Sequence, residues 1–343
     1  MSEAEVLFEL RGHAGLITLN RPQALNALTA GMASDIHRQL QAWQIDARVL
    51  HIIITGAGDK AFCAGGDIRQ LYDWGLARDP AFVGFYRTEY LLNIFIKRYT
   101  KPFIAVMDGI TMGGGVGVSV HGSHRIATER LTFAMPETGI GLFPDVGGTW
   151  FLPRCPGHLG MYLGLTGYRL KAADAIFAGV ATRFVPAGEC LSLIDDLTNA
   201  ADVDSCLERF AQDAGDAPLA GRMDEINRHF GQSGVEAILD SLDHDGSEWA
   251  SGTAGIMRAK SPTSQKITFE QLTRGARLDF EACMQTEYRM VNRIYHGHDF
   301  FEGIRAVVID KDQAPKWQPA SLPEVSKEAV AGYFAELAEE LPI

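Results

Sequence analysis

Val6–Leu10 and Leu16–Asn20 are short, mostly apolar runs that read as strands, and the stretch Gly12–Gly15 between them predicts the turn that joins the two. From Thr29 to Ile45 the apolar positions recur every three or four residues, which predicts a helix. His51–Thr55 and Pro102–Met107 are short apolar runs of buried-strand type, each ending at glycine, in Gly56-Ala57-Gly58 and in Asp108-Gly109. Helical spacing returns over Asp67–Leu76 and Phe82–Tyr99, and Arg125–Thr128 reads as another strand. The first 190 residues thus repeat a cadence of strand, glycine-rich loop and helix, which predicts the α/β class but leaves open how the strands are stacked.

Beyond about Ala201 the pattern becomes polar and helical, with breaks near Gly231–Gly234 and Gly252–Gly255. The next strand-like run is Ala306–Ile309, and Lys327–Leu341 has the spacing of a helix that docks through Val330, Tyr333, Phe334 and Leu337. The expected organisation is therefore a core over residues 1–200 and a mainly helical C-terminal region over residues 201–343.

The formal charge of −12 argues against a nucleic-acid or membrane-surface binder, which would need a positive footprint. Five cysteines without a CxxC pair point to a reducing compartment and against a zinc or redox motif. Met1–Leu10 holds three glutamates, unlike a secretory signal or transit peptide, and no apolar run is long enough to cross a bilayer, so a cytoplasmic location is expected.

Three glycine-rich segments carry the candidate chemistry. In Phe62-Cys63-Ala64-Gly65-Gly66-Asp67 the paired glycines allow close approach of backbone to ligand, and a tight turn is the plainer reading. In Asp108–Ser119 a triple glycine precedes a small-residue helix, whose start offers unpaired N–H groups such as that of Gly114 to a developing negative charge; close packing is the reading preferred for Gly117. In Met135-Pro136-Glu137 through Pro144-Asp145-Val146-Gly147-Gly148, two acids stand in apolar, glycine-rich surroundings where an unsupported carboxylate is costly. Asp145 also suits the N-cap of a helix starting near Val146. Dinucleotide, Walker, HExxH and Gly-x-Ser-x-Gly patterns are all missing. His296 and His298 lack companions at metal-ligand spacing, and His121 and His124 are read as structural.

Ala64-Gly65-Gly66-Asp67, Gly113–Gly115 and Met135-Pro136-Glu137, in this order and spacing, resemble the crotonase superfamily. The resemblance implies a spiral of ββα units that binds acyl-CoA. It also implies an oxyanion hole from the N–H groups of Gly66 and Gly114, with Ala64 and Gly65 against coenzyme A. One such donor is worth about 3–4 kcal/mol to a developing oxyanion.

Hydratases of this superfamily use two glutamates. Here the first of those positions is Gly117 and the second is Glu137, while Asp145 replaces a glycine. With Gly297–Asp312, these features resemble the branch that hydrolyses 3-hydroxyisobutyryl-CoA, with 3-hydroxypropionyl-CoA as a second substrate, in valine degradation. That resemblance implies substrate contacts at Glu89, Gly114, Glu137 and Asp145. Glu137 would activate water or attack the carbonyl itself, and Asp145 would orient Glu137 or hold the substrate hydroxyl. Glu89 also reads as a solvated carboxylate on an amphipathic helix. No cofactor is implied beyond the coenzyme A of the substrate, no nucleic acid or membrane partner is expected, and self-association is open. Lys60, Arg69, Lys97, Arg98 and Lys101 stand near the loops as candidate phosphate partners, none of them assigned. An enoyl-CoA hydratase or isomerase and a non-catalytic acyl-CoA binder are the alternatives.

Overall fold

In a computed structural model the described residues are 4–343, so Met1 to Glu3 of the acidic first segment lie outside them. The chain groups into two units that do not follow chain order. The first comprises Met1–Asp67, Thr88–Phe133 and Arg169–Ala220; the second comprises Ile68–Arg87, Ala134–Tyr168 and Gly221–Ile343.

The strands are β1 (Val6–Arg11), β2 (Ala14–Leu19), β3 (His51–Gly56), β4 (Ala61–Cys63), β5 (Phe103–Met107), β6 (Ile110–Met112), β7 (His124–Ala127), β8 (Thr132–Ala134) and β9 (Arg183–Phe184). Six of them form one sheet in the order β1-β2-β3-β5-β7-β9, and β4-β6-β8 form a smaller one. Only the β1–β2 pair of the large sheet is antiparallel, as its short connection allows. The parallel strands are covered on both faces, which explains why Ile52-Ile53-Ile54 and Phe103–Met107 read as continuous apolar runs. Leu16, Ile53, Ile104, Val106 and Ile126 pack on one face with Leu193 and Leu197 of helix Cys190–Thr198 and Leu207 of helix Val203–Phe210. On the other face, Gly15 leaves room for the ring of Trp43, from helix Ala30–Ile45, which Thr29 caps.

The second unit is built mainly of helices. Phe280–Ile294 and Pro262–Gly275 are its longest complete members, capped by Asp279 and Ser261. Helix His298–Ile304 packs against the turn Glu137–Ile140, and Gly303 is required there because a Cβ would come within 2.6 Å of Ile140 Cα. Phe300 is buried and packs edge-to-face on Phe82, while Phe301 meets Tyr72.

Two expected elements take other forms. The run at Ala306–Ile309 is not a strand: it continues helix His298–Ile304 as a π-helical turn, Arg305–Ile309, closed by Asp310 N–H donating to Arg305 O at 2.8 Å. Its β-branched residues suit a strand, but no neighbouring strand pairs with them among the described residues, and the Arg305–Glu302 ion pair holds the helical register. The last helix spans only Lys327–Tyr333, although Phe334 and Leu341 beyond it are buried.

Candidate active site

In the first unit, β4 and β6 run parallel as neighbours, so the loops that leave their C-terminal ends emerge side by side. One carries Ala64, Gly65 and Gly66; the other passes through Gly113 into helix Gly114–Gly117. Gly65 has φ +122°, a conformation that favours glycine, and a Cβ on Gly114 would lie 3.4 Å from the carbonyl carbon of Gly65. Gly65 O is taken by Leu28 N–H at 2.8 Å and Leu28 O by Asp67 N–H at 2.9 Å, an arrangement that leaves Gly66 N–H out of the bridge. Gly114 N–H, at the first position of its helix, has no intrahelical acceptor. Among the described residues neither N–H donates a hydrogen bond. The arrangement offers two unspent donors on adjacent loops, with Asp67 held by Arg21 at 3.1 Å.

Glu89, on helix Ala81–Lys97, is 2% exposed, which overturns the reading of a solvated carboxylate. Its Oε1 stands where a side chain on Gly114 would have to go. Burial raises the Cys63 thiol to about 12, and the Glu89 charge adds to that rise. Of the candidate phosphate partners in this unit, Lys101 is already committed, donating to Trp43 O at 2.6 Å and Asp46 O at 2.8 Å. All five cysteines are buried and free.

In the second unit, Glu137 heads a 3-10 turn and is 4% exposed, as is Asp145. Oε2 of Glu137 has no hydrogen-bond partner among the described residues. Burial raises the Glu137 pKa well above the ordinary carboxylate range; Asp145 and Glu287 push the same way, and Lys260 opposes them. The structure therefore brings Glu137 and Asp145 into electrostatic contact within one unit, and adds two charged residues that the sequence reading did not single out.

Asp145 does not cap a helix at Val146. The helix begins at Gly148, and its N-cap position is Gly147, a residue without a side chain. The N–H groups of Gly147 and Thr149 go to Glu287 at 2.8 and 2.9 Å. The sequence does hold a trace of this residue: it falls on the apolar side of a helix, in step with Cys283, Met284, Met290 and Val291, where a charge is out of pattern. His298 pairs with Asp299 at 3.2 Å and His124 with Ser123 and Asp204, and no cluster of metal-binding side chains occurs among the described residues.

With two N–H donors beside a buried glutamate in one unit and a buried acid pair in the other, the chain carries the parts of an acyl-CoA enzyme. It matches the enoyl-CoA hydratase/isomerase family over residues 14–334, and it belongs to that family. Its curated relatives are more specific. The chain is 49% identical over 346 residues to a mitochondrial 3-hydroxyisobutyryl-CoA hydrolase of Danio rerio, covering 98% of this chain and 91% of that protein. It is 50% identical over 336 residues to the Xenopus laevis protein of the same description, covering 95% and 87%. A solved structure described as a carnitinyl-CoA dehydratase from Mycobacterium thermoresistibile matches with a TM-score of 0.96 at 39% identity, covering 99% of each chain. The crotonase-like α/β fold with a mainly helical C-terminal region is thereby borne out. The cytoplasmic expectation is overturned, because these relatives are named as mitochondrial. That expectation rested on cysteines that suit a reducing compartment, on the missing signal and transit profiles of Met1–Leu10 and on the lack of an apolar run long enough to cross a bilayer.

Proposed function

We propose that this chain hydrolyses the thioester of 3-hydroxyisobutyryl-CoA, releasing the free hydroxy acid and coenzyme A, and that valine degradation is the setting. The relatives' names support the substrate, and the state of Glu137 supports the chemistry. A buried carboxylate with a raised pKa is a base of useful strength, and its unpartnered oxygen has no hydrogen bond to give up.

In this reading the N–H groups of Gly66 and Gly114 polarise the thioester carbonyl. Glu137 takes a proton from the attacking water, or attacks first itself to give an anhydride that water then opens. A carbon–oxygen bond forms, the carbon–sulfur bond breaks, and the departing thiolate takes up a proton. Asp145 orients Glu137 or receives the substrate hydroxyl, Glu89 contacts the acyl group, and Ala64 and Gly65 lie along coenzyme A. No further cofactor enters.

Thiol release across 3-hydroxyisobutyryl-, 3-hydroxypropionyl- and crotonyl-CoA tests the proposal. The first is expected to be turned over best, and Glu137→Gln is expected to lower the rate by about 10²–10⁴-fold with little effect on coenzyme A binding. The name of the matched dehydratase supports a second reading, addition or removal of water at a double bond. Loss of enoyl absorbance from crotonyl-CoA with no thiol released from any substrate would select it.

A further inference from the structure

Glu287 has no role in the reaction as described, yet it is wholly buried on helix Phe280–Ile294. A carboxylate in such a place is tolerated only where its hydrogen bonds are met. Its hydrogen bonds converge on one short segment: Oε2 accepts Gly147 N–H at 2.8 Å and Oε1 accepts Thr149 N–H at 2.9 Å. That segment carries Asp145. A second helix holds it as well, since Gln271 Nε2 donates to Pro144 O at 2.6 Å and to Thr149 Oγ1 at 2.7 Å. Between these anchors Val146 has φ +49° and Gly147 φ +92°. For a β-branched residue that conformation is strained, and it persists only where the surroundings over-determine it.

We propose that Glu287 is a positioning residue for Asp145: by receiving two convergent N–H groups it fixes the strained turn and so sets where the Asp145 carboxylate stands relative to Glu137. The proposal rests on the reading that this acid pair serves the hydrolysis. An amide cannot replace it: both oxygens of Glu287 can accept a hydrogen bond, whether the group is ionised or protonated, whereas glutamine offers one oxygen and turns its own N–H₂ toward the other donor.

The test is a double-mutant cycle on thiol release, with Glu287→Gln, Asp145→Asn and the pair of changes together. Glu287→Gln is expected to lower kcat by about 10²-fold, the cost of a misplacement near 1 Å, and to lower the melting temperature only as far as one unpaired buried N–H requires. On the Asp145→Asn background the same change is expected to cost less than about 3-fold, because the residue it positions is already disabled. Multiplying effects, a native rate in Glu287→Gln, or a native rate in Asp145→Asn would each overturn the proposal. Should Glu287→Gln fail to fold, Glu287→Asp, which keeps the carboxyl group but draws it back by one methylene, serves in the same cycle. A native protein that releases no thiol from any substrate sinks the hydrolase reading alone. The positioning role is then read from a crystal structure of Glu287→Gln, where a displaced Asp145 turn supports it and an unmoved one overturns it.

Discussion

Glu89 occupies the space that a side chain on Gly114 would need: a Cβ built on that glycine runs into Oε1 of the buried carboxylate. The obstacle is the far end of a flexible side chain, and Leu28 Cδ1 at 3.1 Å is the next atom met, so Gly114→Ala can be accommodated by moving Glu89. The fold is expected to survive while kcat/KM falls by about 10²–10³-fold, the cost of misplacing the proposed oxyanion donor together with the proposed acyl contact. Gly115→Ala is the contrasting case. Its Cβ meets backbone of Cys63, which cannot swing aside, so about 1–3 kcal/mol or more of stability is expected to go first. Thermal unfolding beside thiol release checks both, and a Gly114→Ala variant with native kcat/KM would remove that amide from the chemistry.

Much of the first unit was legible because parallel, doubly covered strands leave continuous apolar runs, and because glycine marks the loops where backbone must come close. Gly65, with its positive φ, shows the second cause directly. Glu137 and Asp145 were legible as acids in apolar surroundings, and their burial follows from that context. Glu287 left only the trace of a charge on an apolar helix face, because the bonds that define it reach to residues 147 and 149, a separation of about 140 positions that no local pattern records. The same limit applies to Ala306–Ile309, where β-branched side chains spoke for a strand and the Glu302–Arg305 pair, with helix already running into the segment, decided for a helix.

The pH dependence of the rate separates the causes of the raised Glu137 pKa. Burial is the largest cause and the Asp145 charge the next. In its proposed role as base or nucleophile Glu137 works deprotonated, so kcat/KM is expected to rise with pH through its pKa. Asp145→Asn removes a negative neighbour and leaves Lys260 to favour the carboxylate. The acid limb should then shift to lower pH, without reaching the range of an exposed carboxylate because the burial remains. The measurement is kcat/KM against pH for both proteins, and limbs that coincide would show that the two acids do not share a field.

Glu287 links the same cluster to stability. Burial, followed by the Asp145 charge, raises it from an ordinary 4.5 to about 8, against the pull of the Gly147 and Thr149 hydrogen bonds. Between those two values the folded state binds a proton that the unfolded state has released, so stability falls as pH rises. Its contribution is complete below about 4.5 and is lost as pH passes through about 8. Glu137, also raised, acts with the same sign. The buried histidines His51 and His229, whose pKa values are lowered chiefly by burial, act with the opposite sign but only below their ordinary 6.5. Asp46 and Glu302, held near 2 by arginine partners, exert their effect below their ordinary 3.8 and 4.5. The window from about 6.5 to about 8 therefore isolates the buried acids. Across it the urea midpoint of the native protein is expected to fall, and that of Glu287→Gln, which cannot ionise there, to fall less. Equal slopes in the two proteins would mean that Glu287 is already charged below that window, held as a carboxylate by the two N–H groups it receives.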